Sequence, residues 1–327
     1  MFRRVMKMLN RKEGGSGLVR RRARPTRQGL GSLAASAYLR LFAAASIVWF
    51  HVAHSGPVAS VAAVGVGIFI YFSFMHLGRE NGFRVFLNRA GKQLLLPWAA
   101  WWLFYAATRF WVARGVPPEI NAAAPIGTLL AFPAVHLWYL PFVFLASLGV
   151  VAVRETLTPW PAQIKVVIAL VAGLALVPLF GSTDQLPTTL QMIVYATPAI
   201  GLGLVYSYFM RLESSSQRRG WFIAIAALVA VACVPLWSAG IYIVATGYTV
   251  STLLMILCTF SLPRNRLLMR LSSLTLGIYL VHPFAMLVLW KIVGPFRPRW
   301  LFALAAFALS ALIVAGMRRV RYLRALV

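Results

Sequence analysis

The sequence predicts an all-α protein, a polytopic integral membrane bundle of about ten transmembrane helices with its N- and C-termini cytoplasmic. Three observations carry this prediction. The 327 residues are 61% hydrophobic and only 12% charged, with a mean hydropathy of +0.79, whereas soluble domains average roughly 45–50% apolar and about 25% charged residues. Apolar windows long enough to cross a bilayer recur along the chain. The connectors between them alternate between rich and poor in Lys and Arg.

Residues 1–32 hold ten basic residues, one acid and no apolar stretch. A basic, disordered cytoplasmic tail is expected there. Its Arg-rich, acid-poor composition also fits an organelle transit peptide, and starts at Met6 or Met8 stay open. Residues 33–317 form the transmembrane domain, with spans at 34–54, 58–77, 93–113, 135–153, 164–180, 191–209, 221–237, 239–261, 273–293 and 299–316. Polar or Pro/Gly-containing connectors separate them, the longest at 114–134, with others at 154–163, 181–190 and 210–220. A second basic cytoplasmic tail follows at 318–327. No internal repeat of the kind that builds many transporters is visible.

Twenty-six of the 32 Lys and Arg residues fall in the N-terminal tail and in segments 78–92, 154–165, 211–219, 264–270 and 318–324. The opposite side carries only Arg114, Lys291, Arg297 and Arg299. Cytoplasmic loops concentrate Lys and Arg, so both termini are placed inside, as an even number of spans requires. A net charge of +26 would suggest nucleic acid in a soluble protein. Here topology and anionic lipid headgroups explain it, so the expected contacts are membrane lipids and no nucleic acid.

Cys233 and Cys258 lie in apolar segments toward opposite sides of the bilayer and are expected to pack rather than to pair. There is no HExxH and no Cys cluster, carboxylates are scarce, and no metal site is expected. No GxSxG elbow is present, which makes a serine acyl-enzyme the less economical chemistry. The Gly-rich stretch VGVGIF lacks the strand-turn-helix setting of a nucleotide loop and fits close helix packing.

Ionisable groups inside a span are costly, about 2.5–3.5 kcal/mol for a central Arg on insertion scales, and tend to have a partner or a function. In the first span, YLRLFAAASIVWFHVAHSG (38–56), Arg40 and His51 are eleven residues apart. A straight helix places them on one side, separated by about 16 Å along the axis. On spacing alone two readings stay open. Arg40 is a snorkelling charge and His51 a packing imidazole, or the two form a functional pair. The same ambiguity holds for Ser73, which bonds either a ligand or its own helix turn. His136 with Trp138 and Tyr139 belongs either to an interfacial aromatic belt or to a binding surface. His282, near the middle of the ninth span behind Tyr279, serves either an interhelical hydrogen bond or a pocket. His54 and His76 are expected to be packing or interfacial residues. None of the acids Glu13, Glu80, Glu119, Glu155, Asp184 and Glu213 lies inside a span. A carboxylate partner for His51 would therefore have to come from Glu119 or Asp184 on the outer side, Glu80 being too distant on the inner one.

Several segments together resemble a known family. These are Arg40-x10-His51, VGVGIFIYFSF (64–74), FLNRAGKQLLLPW (86–98), HLWYL (136–140) and SLTLGIYLVHPF (273–284), which run in the order found in the membrane O-acyltransferases of acyltransferase family 3. Two departures stand out. Ser73-Phe74 replaces the family's Ser-Gly, and Arg89-x-x-Lys92 replaces its Arg-x-x-Arg, trading a fork contact for a point charge. The resemblance implies transfer of an acetyl or other short acyl group from cytoplasmic acyl-CoA to a hydroxyl of a carbohydrate, such as an exopolysaccharide, O-antigen, glucan or lipid-linked sugar. It implies a bacterial cytoplasmic (inner) membrane location and polysaccharide-assembly proteins as partners. Acyl-CoA would be a donor substrate, with no bound cofactor. His51 would be the general base, with Arg40, Arg89, Lys92 and Ser73 at the acyl-CoA. His136, Trp138, Tyr279 and His282 would bind or support the acceptor. A polytopic transporter or flippase for a sugar or lipid-linked substrate is the alternative that ten spans with buried imidazoles would also serve. A non-catalytic subunit of an assembly machine is a weaker one.

Overall fold

A computed structural model describes residues 27–53, 64–77, 83–113, 133–156, 160–176, 188–294 and 297–327. The expected N-terminal tail up to residue 26, His54, Glu80, Glu119 and Asp184 lie outside the described residues. The described chain is helical throughout. Its elements are α1 (Arg27–Ala53), α2 (Val64–Met75), α3 (Phe83–Ala90), α4 (Leu96–Ala113), α5 (Tyr139–Thr156), α6 (Ala162–Leu176), α7 (Thr188–Phe209), α8 (Ser215–Ser238), α9 (Tyr242–Met255), α10 (Arg266–Ser273), α11 (Thr275–Val293) and α12 (Arg299–Met317). A π-helical segment, Gly91–Leu95, joins α3 to α4, and short 3-10 turns at Val135–Trp138 and Ile256–Thr259 precede α5 and follow α9.

Among the described residues seven helices are long and apolar enough to cross a membrane, and Val64–Met75 and Ala162–Ala175 are shorter apolar helices. The protein is therefore a polytopic membrane bundle. The expected third span appears as the π segment running into α4, whose Trp, Tyr and Arg109 lower its hydropathy below that of the seven. Helix α1 begins at Arg27, so residues 27–32 are helical.

Helix α2 is the hub of the bundle. It is apolar all round and nearly every side chain is buried, as expected for a helix enclosed on all sides. It packs on α1, α5, α7 and α9, while α1 also packs on α10, α11 and α12. Without a hydrophobic drive between helices in lipid, small residues let backbones approach and gain dispersion contacts. A Cβ added at Gly65 would lie 2.4 Å from the Ala43 carbonyl oxygen and 2.5 Å from the Ser46 hydroxyl, and one at Gly203 would lie 2.8 Å from Phe74 Cβ.

The expected C-terminal tail packs back on the bundle. Trp101 on α4 donates its indole N–H to the carbonyl of Leu326 at 2.9 Å, and Arg318 donates to the carbonyl of Ser273 at 2.6 Å. At the start of α10, the Asn265 side chain caps the N–H groups of Leu267 and Leu268. The Tyr38 hydroxyl accepts from Asn265 N–H at 2.8 Å and donates to the Pro263 carbonyl, tying α1 to that turn.

Gly65→Ala is expected to destabilise the α1–α2 contact by about 1–3 kcal/mol through overpacking, read as a lower thermal-unfolding midpoint in detergent. Gly149→Ala and Gly220→Ala, where an added Cβ meets nothing within 4 Å, should leave the midpoint unchanged or raise it.

Candidate active site

The three histidines that sequence spacing left separate come together. His51, near the C-terminal end of α1, has its ring centroid 4.9 Å from that of His282 on α11. His136, in the 3-10 turn before α5, is 5.2 Å from His282. His282 is fully buried, His136 is 5% exposed, and His51 is half-buried. His136 and Trp138 are thus interior residues rather than members of a surface belt. Trp138 is 6% exposed and packs on Tyr139 and Phe142.

Backbone chemistry of α11 orients the cluster. Pro283 lies inside the helix and has no N–H to return to the carbonyl of residue 279. The Tyr279 carbonyl instead meets His282 Nδ1 at 2.7 Å. A carbonyl can only accept, so Nδ1 carries the proton. The next carbonyl, that of Leu280, accepts from the Tyr105 hydroxyl at 2.8 Å, and the Tyr105 ring stands 5.5 Å from His136. The Tyr279 hydroxyl donates to the His136 carbonyl, fixing the 3-10 turn against α11. Nε2 of both His136 and His282 is buried without a hydrogen-bond partner among the described residues.

From Tyr279 the polar path continues toward a surface cleft. The Tyr279 ring is 5.6 Å from Tyr139, whose hydroxyl is 3.1 Å from that of Ser73. Ser73 also donates to the Phe69 carbonyl of its own turn at 2.9 Å, the helix-turn bond that its sequence position allows. Ser73 lines a cleft of about 360 Å³ together with His76, Arg89, Gln93, Ser147 and neighbouring apolar residues. The π segment begins two residues after Arg89. Arg89 and Gln93 line the cleft, whereas the exposed Lys92 is not part of its lining. Such π-bulges re-aim side chains and recur at functional sites.

Arg40 lies elsewhere. It is exposed, donates to the Ser36 carbonyl at 3.3 Å, lies within electrostatic reach of Cys258, and does not line the cleft. A second hollow of about 770 Å³, between α1, α10 and α12, is lined almost wholly by apolar side chains such as Phe42, Trp49, Trp300 and Phe307.

Sequence reasoning missed four contributors to this region. Tyr105 carried no signal beyond its place in an aromatic span. Gln93 could have been found four residues after Arg89 on the same helical face. His76, assigned to packing, lines the cleft. Pro283 was visible in His-Pro inside an apolar span, where a helix is expected to open. Among the described residues no group of three His, Cys, Asp or Glu side chains is arranged to hold a metal ion, these imidazoles included.

A helix bundle that encloses imidazoles and carries a polar cleft is the architecture of an integral membrane protein with an internal site. Compared with protein families, the chain matches the acyltransferase domain over residues 34–319 and belongs to acyltransferase family 3. It is a multi-pass membrane acyltransferase. No curated protein and no solved structure matches it significantly.

Tyr105→Phe removes the hydroxyl donor on the Leu280 carbonyl and is expected to cost about 1–3 kcal/mol of stability. The check is thermal unfolding of the purified protein, with Tyr242→Phe at an exposed tyrosine as the variant that should shift nothing.

Proposed function

We propose that this acyltransferase moves an acetyl or other short acyl group from cytoplasmic acyl-CoA to a hydroxyl of a carbohydrate or lipid-linked sugar, with His51 as general base. The observation that carries the reading is the contact of His51 with His282, and of His282 with His136, next to a tyrosine–serine path from the Arg89 cleft. The charge pattern of the connectors supports an orientation with the basic segment 78–92 on the cytoplasmic face of a bacterial inner membrane. Membership in a transferase family favours this reading over a transporter.

The donor is a polyanion, and the cleft carries Arg89, His76 and Gln93 but no acid among its described lining residues. Arg89 holds a phosphate of the donor, with Lys92 and Arg40 adding to the basic field outside the cleft. Ser73 and Tyr139 line the way toward the histidines and supply hydroxyls to the pantetheine amides. A neutral imidazole at His51 takes the proton from the acceptor hydroxyl as its oxygen attacks the thioester carbonyl. The carbon–oxygen bond forms, the carbon–sulfur bond breaks, and the departing thiolate takes the proton from His51. His136, Trp138, Tyr279 and His282 support the acceptor side. Acyl-CoA is a substrate here, and the chemistry asks for no resident cofactor.

His51→Ala is expected to lower acyl-CoA-dependent modification in membranes by about 10²–10⁴-fold; near-normal turnover in a correctly inserted variant overturns the mechanism. Arg89→Ala should raise the KM for the acyl donor about tenfold, the worth of one charge-assisted hydrogen bond, with little change in kcat. Mass spectrometry of cellular polysaccharides with and without the protein identifies the acyl group by the mass added.

A further inference from the structure

Ser147 is a polar residue in an otherwise apolar stretch of α5, and it is 3% exposed. A buried serine in a transmembrane helix commonly returns its hydroxyl to the carbonyl one turn back, as Ser73 does with Phe69. Ser147 makes no such bond among the described residues and lines the cleft of about 360 Å³ that also holds Arg89. Its hydroxyl therefore keeps both a donor and an acceptor for whatever enters. The face of α5 that carries it continues through Val143 to Tyr139 in steps of four residues. Along that face the rise from Ser147 to Tyr139 is about 12 Å, and Val143 lines the same cleft. The Tyr139 hydroxyl lies 3.1 Å from that of Ser73, which belongs to the cleft lining on α2. Gln93 joins the lining from the π segment, which packs on α5.

We infer that Ser147 and Gln93 recognise the pantetheine arm of the donor, and that the cleft selects its donor by this arm. The inference rests on reading the cleft as the acyl-donor site. A phosphate offers only acceptor oxygens, so it calls for a donor such as the Arg89 guanidinium. A secondary amide offers one donor and one acceptor, and a glutamine carboxamide or a serine hydroxyl answers both. The arm carries amides and a hydroxyl separated by methylene and methyl groups, and the same lining supplies Phe86, Leu94 and Val143 as their apolar partners. Length agrees as well. The arm is about as long as four extended residues, about 13–14 Å, close to the rise of about 12 Å along the α5 face. The cleft volume, about 360 Å³, lies near the low end of the roughly 300–1,000 Å³ of small-ligand sites, a size that suits the arm rather than the whole donor with its nucleotide. Ser147 and Gln93 act by placing the donor, and neither takes part in proton transfer.

Calorimetry on the purified full chain in lipid nanodiscs tests this without any turnover, with CoA and free phosphopantetheine as probes. Phosphopantetheine is expected to bind within about tenfold of CoA, because the arm supplies the contacts inside the cleft. Ser147→Ala, Ser147→Val and Gln93→Leu should each weaken both probes about fivefold, the worth of one neutral hydrogen bond. Ser147→Thr has the shape of the valine variant but keeps a hydroxyl, so it should retain near-normal affinity; this pair separates loss of the hydroxyl from a change of shape. In turnover assays Ser147→Ala should raise the donor KM by the same factor with kcat held. Unchanged binding in the alanine and valine variants, equal loss in the threonine and valine variants, or phosphopantetheine failing to bind where CoA binds overturns the proposal. CoA binding that Arg89→Ala leaves unchanged, or no CoA binding to the unaltered protein, instead rejects the donor site at this cleft, and the inference with it.

Discussion

A missing backbone proton in α11 is the constraint from which the polar interior follows. Inside a bilayer a carbonyl without a donor costs several kcal/mol, because no water is available to replace the lost bond. Pro283 frees the carbonyl of Tyr279, and that carbonyl is matched by His282 Nδ1. The adjacent carbonyl of Leu280 is matched by the Tyr105 hydroxyl. Satisfying the freed carbonyl ties His282 to one arrangement, and a tyrosine of α4 donates to the carbonyl beside it. The Tyr279 hydroxyl then holds the His136 turn, which sets where α5 begins and where Tyr139 stands against Ser73.

Such a network keeps its geometry only if the helices carrying it cannot slide. Helix α2 supplies Ser73 and packs on α1, which supplies His51, and on α5 and α7. At Gly65 and Gly203 the backbones approach so closely that a methyl group would overlap a neighbour. Short distances between helices convert many small dispersion gains into a fixed register. The cost is a hub with no spare volume, where even an added methyl should be felt.

The charge distribution separates recognition from chemistry. Positive side chains lie at the cleft and on the connectors, while the aromatic rings of Phe50, Tyr105 and Tyr279 pack against the histidine cluster. A cleft whose described lining carries Arg89 and His76 and no acid attracts a polyanion. Among the described residues His282 is oriented by a backbone carbonyl, that of Tyr279.

Much of this was legible in the chain itself. Ten apolar windows, the alternation of Lys and Arg, and the helix-breaking His-Pro are local or compositional features, and hydropathy acts residue by residue. His51, His136 and His282 could each be flagged because an ionisable group in lipid is costly wherever it sits. Their contact could not. The spans are apolar on nearly all faces, so no stripe of polarity marks which side of α1 meets α11 or which meets α9. In a straight helix Arg40 and His51 share a side, yet in the bundle Arg40 lies near Cys258, at the end of α9, and His51 lies against α11. Likewise, Arg89 and Lys92 looked like a pair until the π segment left Gln93 in the cleft lining with Arg89. The sequence by itself determined the class of fold and the identity of the groups that could carry chemistry. Only tertiary structure decided which of them meet, because in lipid the choice of helix neighbours is set by shape and by the need to satisfy every backbone carbonyl, and neither is written in any one segment.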